Sequence, residues 1–417
     1  MSNIFQNPVM YTKECLRSLN NNIVFGKRVS RDHEKDFAKD DMKIGDTINI
    51  RRPWRALISN GQAFNAQDYV ETSIPLVINS QKHVDTAFTS ADMTLKEQDF
   101  SNRVIKPAMI QLGTQIDQDG YINAKNTVGP LTGTAGTAPN TQSFLFDIGR
   151  KMDNFSVPRD GERYFVMDPT SNAAQVAALT GFFQAQNLIA KQYEEGMFVD
   201  ATNTIGLKIA MSQNVARQTV GALGGAPQTN GASQGLATGW ANIGTLVTDT
   251  WTGAAAQRLN VGDNFTIAGV YGVNPVTRVA TGAATFDLLQ FTVVAAGSTD
   301  ASGNMTISHS PALIYGGPFQ NASNAAADNQ VLTINGTAAT GYVRNLAWHP
   351  DAFELAVVRM QDLAMFGGWG SVQSFEGFSL RTFRQAAISS DTVGNRVDAL
   401  YGWATPYPEQ AVQQVGA

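Results

Sequence analysis

Between Gln218 and Val343 the chain runs for 126 residues with only seven charged side chains: Asp249, Arg258, Asp263, Arg278, Asp287, Asp300 and Asp328. The other 291 residues carry 58. The charge-poor stretch opens with "GALGGAPQTNGASQG", read as a flexible run. It continues in short Thr/Val/Ile-rich segments such as "FTIAGVYGV", "FDLLQFTVVAAG", "NMTISH" and "QVLTING". Gly/Asn/Ser turns separate these segments, which is the pattern of a small all-β barrel or sandwich. The abrupt change of composition at both ends makes 218–343 an inserted domain with its own fold.

The flanks read as mixed α/β. Residues 1–44 pass from a mildly amphipathic start into "GKRVSRDHEKDFAKDDMK", dense in both charge signs, and suit an exposed arm. Residues 45–92 alternate at Ile48 and Ile50 and again at Ile74, Leu76 and Ile78, with the polar run "ISNGQAFNAQDYVETS" between. They form two strands joined by a long tip without a core of its own. In 93–130, Val104, Met109, Leu112, Ile116 and Ile122 fall near helical spacing behind Thr94 as N-cap, and Pro107 either kinks this helix or opens a second one. Residues 131–217 alternate helix and strand: "TQSFLFDIGRKMDNF" helical, "RYFVMD" a strand, "DPTSNAAQVAALTGFF" a helix, "GLKIAMSQN" a strand. From 344 to 417 the mixed pattern returns and closes in two strands around "SSDTVGN".

Totals narrow the function classes. The length of 417 residues allows a substantial core, and 16% charged residues suit a globular chain with a weakly charged surface. A net charge of −5 argues against a dedicated nucleic-acid binder, which must neutralise phosphates. The single cysteine, Cys15, excludes an internal disulfide and any multi-cysteine metal site. No basic-then-apolar leader opens the sequence and no apolar run approaches about 20 residues, so the chain is expected to act without crossing a membrane.

Motifs that would carry catalysis are weak. "GASQG", Gly231–Gly235, matches a nucleophile elbow around Ser233 but lacks the strand before and the helix after, and reads as a linker. "QIDQDGYIN" places Asp117, Asp119 and Gly120 like half a calcium loop, yet Asn126 stands where the closing glutamate belongs. It reads as a helix ending at Gly120 or as an acidic helix surface. His33, with Glu34 beside it, has no second histidine four residues on; His83, His309 and His349 stand alone and read as surface or capping residues. Cys15 reads as an ordinary thiol in a helix. "RRPWR" could touch nucleic acid, but on an acidic chain it fits acidic neighbours or another subunit better. No catalytic, cofactor-binding or metal site is expected, and the chain reads as no enzyme.

The order of parts resembles the major capsid proteins of tailed double-stranded DNA bacteriophages, and within them the coat-protein family of short-tailed phages that carry an insertion domain. The likeness covers nearly the whole chain as segment order. Asp46 to Thr89 matches the family's extended loop, and Leu95 to Lys125, with "LGTQIDQDGYI", its spine helix. "LAWHPDAFELAV" resembles the return strand and helix after the insertion. The ending, with Tyr401-Gly402 and Pro408-Glu409 in order, is similar to the closing hairpin. The resemblance implies an α+β, tailed-phage (and herpesvirus-like) fold. It implies an N-arm at 1–44, an extended loop at 45–92, a spine helix and peripheral domain at 93–130, and an axial domain starting at 131–217. The inserted barrel then occupies 218–343, and 344–417 returns to the axial and peripheral domains. It further implies hexameric and pentameric capsomers in an icosahedral shell, a scaffolding protein during assembly, a portal protein at one vertex, and a decoration protein. Contact with packaged double-stranded DNA would be non-specific. The subunit would reside in the virion capsid, and in the host cytoplasm before assembly.

The physics of a shell agrees. Arm and hairpin lack a local core and gain partners only across subunit boundaries, and many modest symmetric contacts add up to a closed assembly. The rivals are a β-rich adhesin or carbohydrate-binding virion protein, suggested by the Thr/Asn/Gly-rich middle, and a hydrolase resting on Ser233 or Asp119. The phrases "IGD" at 44–46 and "VGD" at 261–263 share no further similarity and read as the same turn chemistry: glycine for a positive φ, aspartate for the following amides.

Overall fold

The computed structural model describes residues 8–33, 47–64, 66–67, 69–89, 104–141, 143–178, 206–281, 287–363, 369–375, 377–387 and 392–416. The Gly45-Asp46 turn, most of the charged run after His33, Glu34, the Thr94 cap and part of "SSDTVGN" lie outside them. The chain forms two compact units. One comprises Met1–Ile50, Pro75–Gly120 and Glu354–Ala404; the other comprises Arg51–Ile74, Tyr121–Phe353 and Thr405–Ala417.

The first unit is built on one antiparallel sheet. Its strands run in the order Glu354–Val357, Thr392–Ala404, Phe378–Ala387, Trp369–Phe375, and Ser80–Thr89 pairs with Thr392–Ala404 as well. The ten-residue register from Thr392↔Thr89 to Tyr401↔Ser80 is continuous. The helix Pro8–Asn22 lies against this sheet. Its buried Tyr11, Cys15 and Leu19 follow the i, i+4, i+8 spacing that gives a helix one apolar face, and buried Leu16 widens that face. Thr12 meets Thr382, Oγ1 to Oγ1, at 2.7 Å, and Asn395 donates to the Tyr11 hydroxyl at 2.8 Å. A core of Ile50, Leu76, Ile78, Ala356, Leu400 and Ala404 closes under the base of the Thr47–Arg52 and Thr72–Val77 pair.

The helix Lys106–Thr127 carries Pro107 in its first turn, where a missing N–H costs nothing, so the proline opens the helix. Two expectations fail here. The helix does not end at Gly120, and Asp117 is no surface acid: it is fully buried. Its carboxylate accepts from the main-chain N–H groups of Val24 (2.6 Å), Phe25 (3.1 Å) and Gly26 (3.0 Å). Gly120 is required by close approach, since a Cβ there would sit 2.6 Å from Trp403 Cζ2 and 2.7 Å from Phe25 Cδ1. Those two rings stack at 5.1 Å across the glycine.

The second unit holds a six-stranded mixed sheet and a β-barrel. The sheet order is Leu131–Thr132, Ala411–Val415, Gly341–Trp348, Tyr164–Met167, Lys208–Met211, with Arg217–Thr219 pairing the start of Gly341–Trp348. The helix Ser143–Asn154 buries Phe144, Leu145, Ile148 and Met152 against it, and Pro169–Ala178 follows the Asp168 cap, whose carboxylate accepts from Thr170 and Ser171 N–H. The barrel sheet runs Leu332–Ile334, Asn264–Tyr271, Leu288–Val293, Met305–Ser310, Gly244–Trp251, Gly225–Thr229. Its ends meet at the Gln228–Val331 bridge and at Thr229 N–H to Gln330 O, 3.0 Å. Inward residues, among them Leu246, Trp251, Phe265, Ile267, Phe291 and Ile307, form one apolar cluster.

Three further expectations are corrected in the barrel. "GALGGAPQTNGASQG" is not flexible: Gly225–Thr229 within it is a strand on Gly244–Trp251. "GASQG" is not a linker either, because Gln234 exchanges main-chain bonds with Ala326 (2.9 and 3.0 Å) and its side chain accepts from Val247 N–H at 2.7 Å. His309 is neither surface nor cap; it is 1% exposed, with its ring edge-on to Phe291 at 4.7 Å. A polar ring on the inner face of a strand looks solvent-facing in sequence but is satisfied here by Pro311 O, 2.9 Å from Nδ1.

Candidate assembly interface

The segment between the paired strands Thr47–Arg52 and Thr72–Val77 carries apolar side chains outward. Ile58 is 90% and Phe64 94% exposed, and Trp54, Leu57, Tyr69 and Val70 are also exposed. Trp54 and Tyr69 lie 5.9 Å apart, and Leu57 N–H donates to Gln67 Oε1 at 2.8 Å, so the two limbs of the loop are tied to each other. Exposed apolar surface of this kind, on a loop with too few partners for a core, marks a contact surface for another chain.

The foot of the loop is held by charge. Arg52 and Arg55 both donate to Glu409 Oε1, Arg55 at 3.0 Å, and Glu409 sits on the short turn Pro408–Gln410. The Arg52 guanidinium lies over the rings of Tyr407 (4.7 Å) and Trp240 (5.7 Å), and that of Arg55 over Phe319 (5.8 Å). Burial pushes the Glu409 carboxyl up, but the two guanidinium charges outweigh it and hold the group below its ordinary range. Arg278 Nη2 donates to Ala56 O at 2.7 Å and fixes the next residue of the loop. "RRPWR" thus pairs with an acidic neighbour, as its composition suggests.

The residues that sequence motifs single out do not come together. Ser233 is exposed at φ +58°, a strained turn conformation, with neither a following helix nor a histidine bonded to it. Asp117 caps main chain, while Asp119 accepts from Tyr401 (2.6 Å) and lies 3.5 Å from Lys82 Nζ. His33 gives its N–H and Nδ1 to buried Glu354 at 2.8 and 2.9 Å. His83 lies 2.9 Å from Asp85, and His349 caps the turn Pro350–Ala352 with Nε2 3.0 Å from Asp160. Cys15 is buried in its helix, and burial pushes its thiol up to about 12, away from reactivity. Among the described residues no group of three or more His, Cys, Asp or Glu side chains is placed to hold a metal ion. No helix among them is long and apolar enough to cross a membrane. The Glu409 partner of the loop foot escaped sequence reasoning; the only signal was the pairing of a basic cluster with a need for acid.

Comparison with known proteins places this architecture. A solved chain from Mycobacterium phage Che8 superposes at a TM-score of 0.50 with 12% identity, over 94% of this chain and 90% of that one. The capsid chain of Myoviridae phage XM1 covers 100% of this chain and 96% of its own at 9% identity, but its TM-score of 0.42 adds nothing to the argument. The fold is the α+β fold of phage capsid proteins. The family described as "P22 coat protein - gene protein 5" matches residues 2–416, and the chain belongs to that family. A protein named major capsid protein, from Acyrthosiphon pisum secondary endosymbiont phage 1, is 25% identical over 292 residues, 66% of this chain. That match spans 64% of the relative's own length.

Proposed function

We propose that the chain is the major capsid protein of a tailed phage, the repeating subunit of an icosahedral shell around double-stranded DNA, with a structural and not a catalytic role. Family membership across residues 2–416 carries the reading. The loop supports it, because Ile58 and Phe64 stand almost wholly in solvent on a foot that ion pairs and cation–ring contacts hold. A subunit that must bind copies of itself needs such prepositioned apolar surface, and ordering it beforehand lowers the entropy lost on association. Hexameric and pentameric capsomers, a scaffolding protein, a portal at one vertex and a decoration protein are the partners this role calls for. The division at 218–343 into an inserted barrel belongs to the same proposal. Negative-stain electron microscopy of the purified chain, alone and co-expressed with neighbouring genes, tests the reading. Closed shells are the expected result; a particle that stays monomeric under every condition overturns it.

A further inference from the structure

Beside the loop foot lies a cleft whose charges do not balance. Arg52 and Arg55 share one carboxylate, Glu409, and both bonds go to the same oxygen, Oε1. Arg278, tied to Ala56 O, brings a third guanidinium to the same loop foot, and its Nε is buried with no hydrogen-bond partner. Asp351 does not line the cleft, whose charged residues are Arg52, Arg55 and Glu409. Among the described residues the cleft therefore holds more cation than anion. Its wall is apolar, with Trp240, Phe155, Phe319 and Pro311 around the arginines. Arg52 is almost enclosed (7% side-chain exposure), whereas Arg55 keeps 29% and is the guanidinium that a visitor reaches.

Two guanidiniums that share one carboxylate oxygen leave the cleft with net positive charge, and the best match for a guanidinium is a planar carboxylate bound through two N–H groups. The ring-lined wall selects an acid carried on a side chain over a hydrated free ion. We infer that this cleft receives a carboxylate side chain from a second copy of the chain. Charge points to a copy as the source: the chain carries 35 acids against 30 bases, so a locally cationic cleft complements its own surface. The cleft also adjoins the exposed loop that the shell reading assigns to subunit contact. The inference rests on that reading.

The test uses the full chain with Arg55→Gln and Arg55→Lys, since Arg52 remains on Glu409 in both. Urea unfolding of the free subunits measures what losing the Arg55–Glu409 bond costs, and shell formation is compared under conditions where both variants are fully folded. Shell formation, followed by light scattering against subunit concentration, is expected to need several-fold more Arg55→Gln subunit, with partial rescue by Arg55→Lys. A reconstruction of the wild-type shell is expected to show an Asp or Glu of a neighbouring copy within hydrogen-bond distance of Arg55. Shells from Arg55→Gln at wild-type concentration overturn the inference while leaving the shell reading intact. So does a cleft filled by solvent, by nucleic-acid phosphate or by a different protein. If wild type itself forms no shells, both fall together.

Discussion

His309 makes the barrel's stability depend on acidity in a calculable way. Its ring is 1% exposed and edge-on to Phe265 and Phe291, at 6.0 and 4.7 Å between centroids. Nδ1 carries the proton, because it faces the Pro311 carbonyl at 2.9 Å. Burial pushes the imidazole down from 6.5 to about 4, with the Pro311 carbonyl opposing weakly. The folded value lies below the unfolded one, so the unfolded chain binds the proton first. Stability from the neutral ring is therefore complete above pH 6.5 and is lost as pH falls from 6.5 towards 4. The shift corresponds to about 3 kcal/mol in full, and about 2 kcal/mol of it disappears between pH 7 and pH 5. At a urea slope of about 2 kcal/mol per molar, that moves the barrel's midpoint by roughly 1 M. Trp251, inside the same cluster, reports the transition by fluorescence, with Trp251→Phe as the blank. His309→Gln removes the titration and flattens the pH dependence, whatever its own cost at neutral pH. Equal midpoint shifts from pH 7 to 5 in wild type and His309→Gln would refute the reasoning, since carboxylates titrate in both.

Asp117→Ala orphans three buried N–H groups and is expected to cost about 3 kcal/mol, read as a lower urea midpoint through Trp403, while Asp117→Asn keeps one acceptor and costs less. Gly120→Ala, which helix propensity alone would favour by about 1 kcal/mol, is expected to destabilise by about 1–3 kcal/mol because the methyl enters the Phe25–Trp403 stack; a higher midpoint would show that the rings simply part. Ile58→Ser and Phe64→Ser are expected to leave subunit stability within about 0.5 kcal/mol and to lower shell yield in electron micrographs, because both side chains are almost fully exposed.

Elements that declare themselves through periodicity were legible in the sequence. The strands Tyr164–Met167 and Lys208–Met211 and the helices Ser143–Asn154 and Pro169–Ala178 follow from local pattern, whereas at Pro107 the pattern allowed a kink or a helix start and the structure shows the start. The family resemblance followed from the order of those parts. What stayed hidden depends on distant residues. Gly225–Thr229, "GAPQT", has little strand propensity and pairs only because Gly244–Trp251 offers it a ladder. Asp117 looked like a surface acid since its three donors lie more than ninety positions earlier. The foot of the loop joins Arg52 to Glu409 across 357 positions, a distance at which composition suggests acid but cannot say which one.

The two Gly-Asp phrases bear on how the chain enters and leaves the barrel. At 262–263 the glycine does take a positive φ, +93°, but the aspartate does not serve the residues after it as expected. Asp263 turns back, accepting from Asn260 N–H (2.8 Å), Gly221 N–H (3.0 Å) and Gln218 Nε2 (2.7 Å). Gln218 in turn accepts from Lys125 Nζ at 2.7 Å, so the helix end, the entry into the charge-poor stretch and the barrel turn form one buried polar chain. Gln218 also pairs with Tyr342, and Arg217 with Val343, so the chain enters and leaves the barrel side by side on one ladder. Closing a long excursion costs little when its ends are already neighbours, because closure entropy grows only with the logarithm of length. The sheet strand Gly341–Trp348 therefore runs straight from the barrel's exit into the α/β core without a break. Charge is scarce between 218 and 343 because main-chain ladders and amide side chains supply the polar matching there. The carboxylate retained at 263 sits where the chain's entry into the barrel and its exit are fastened.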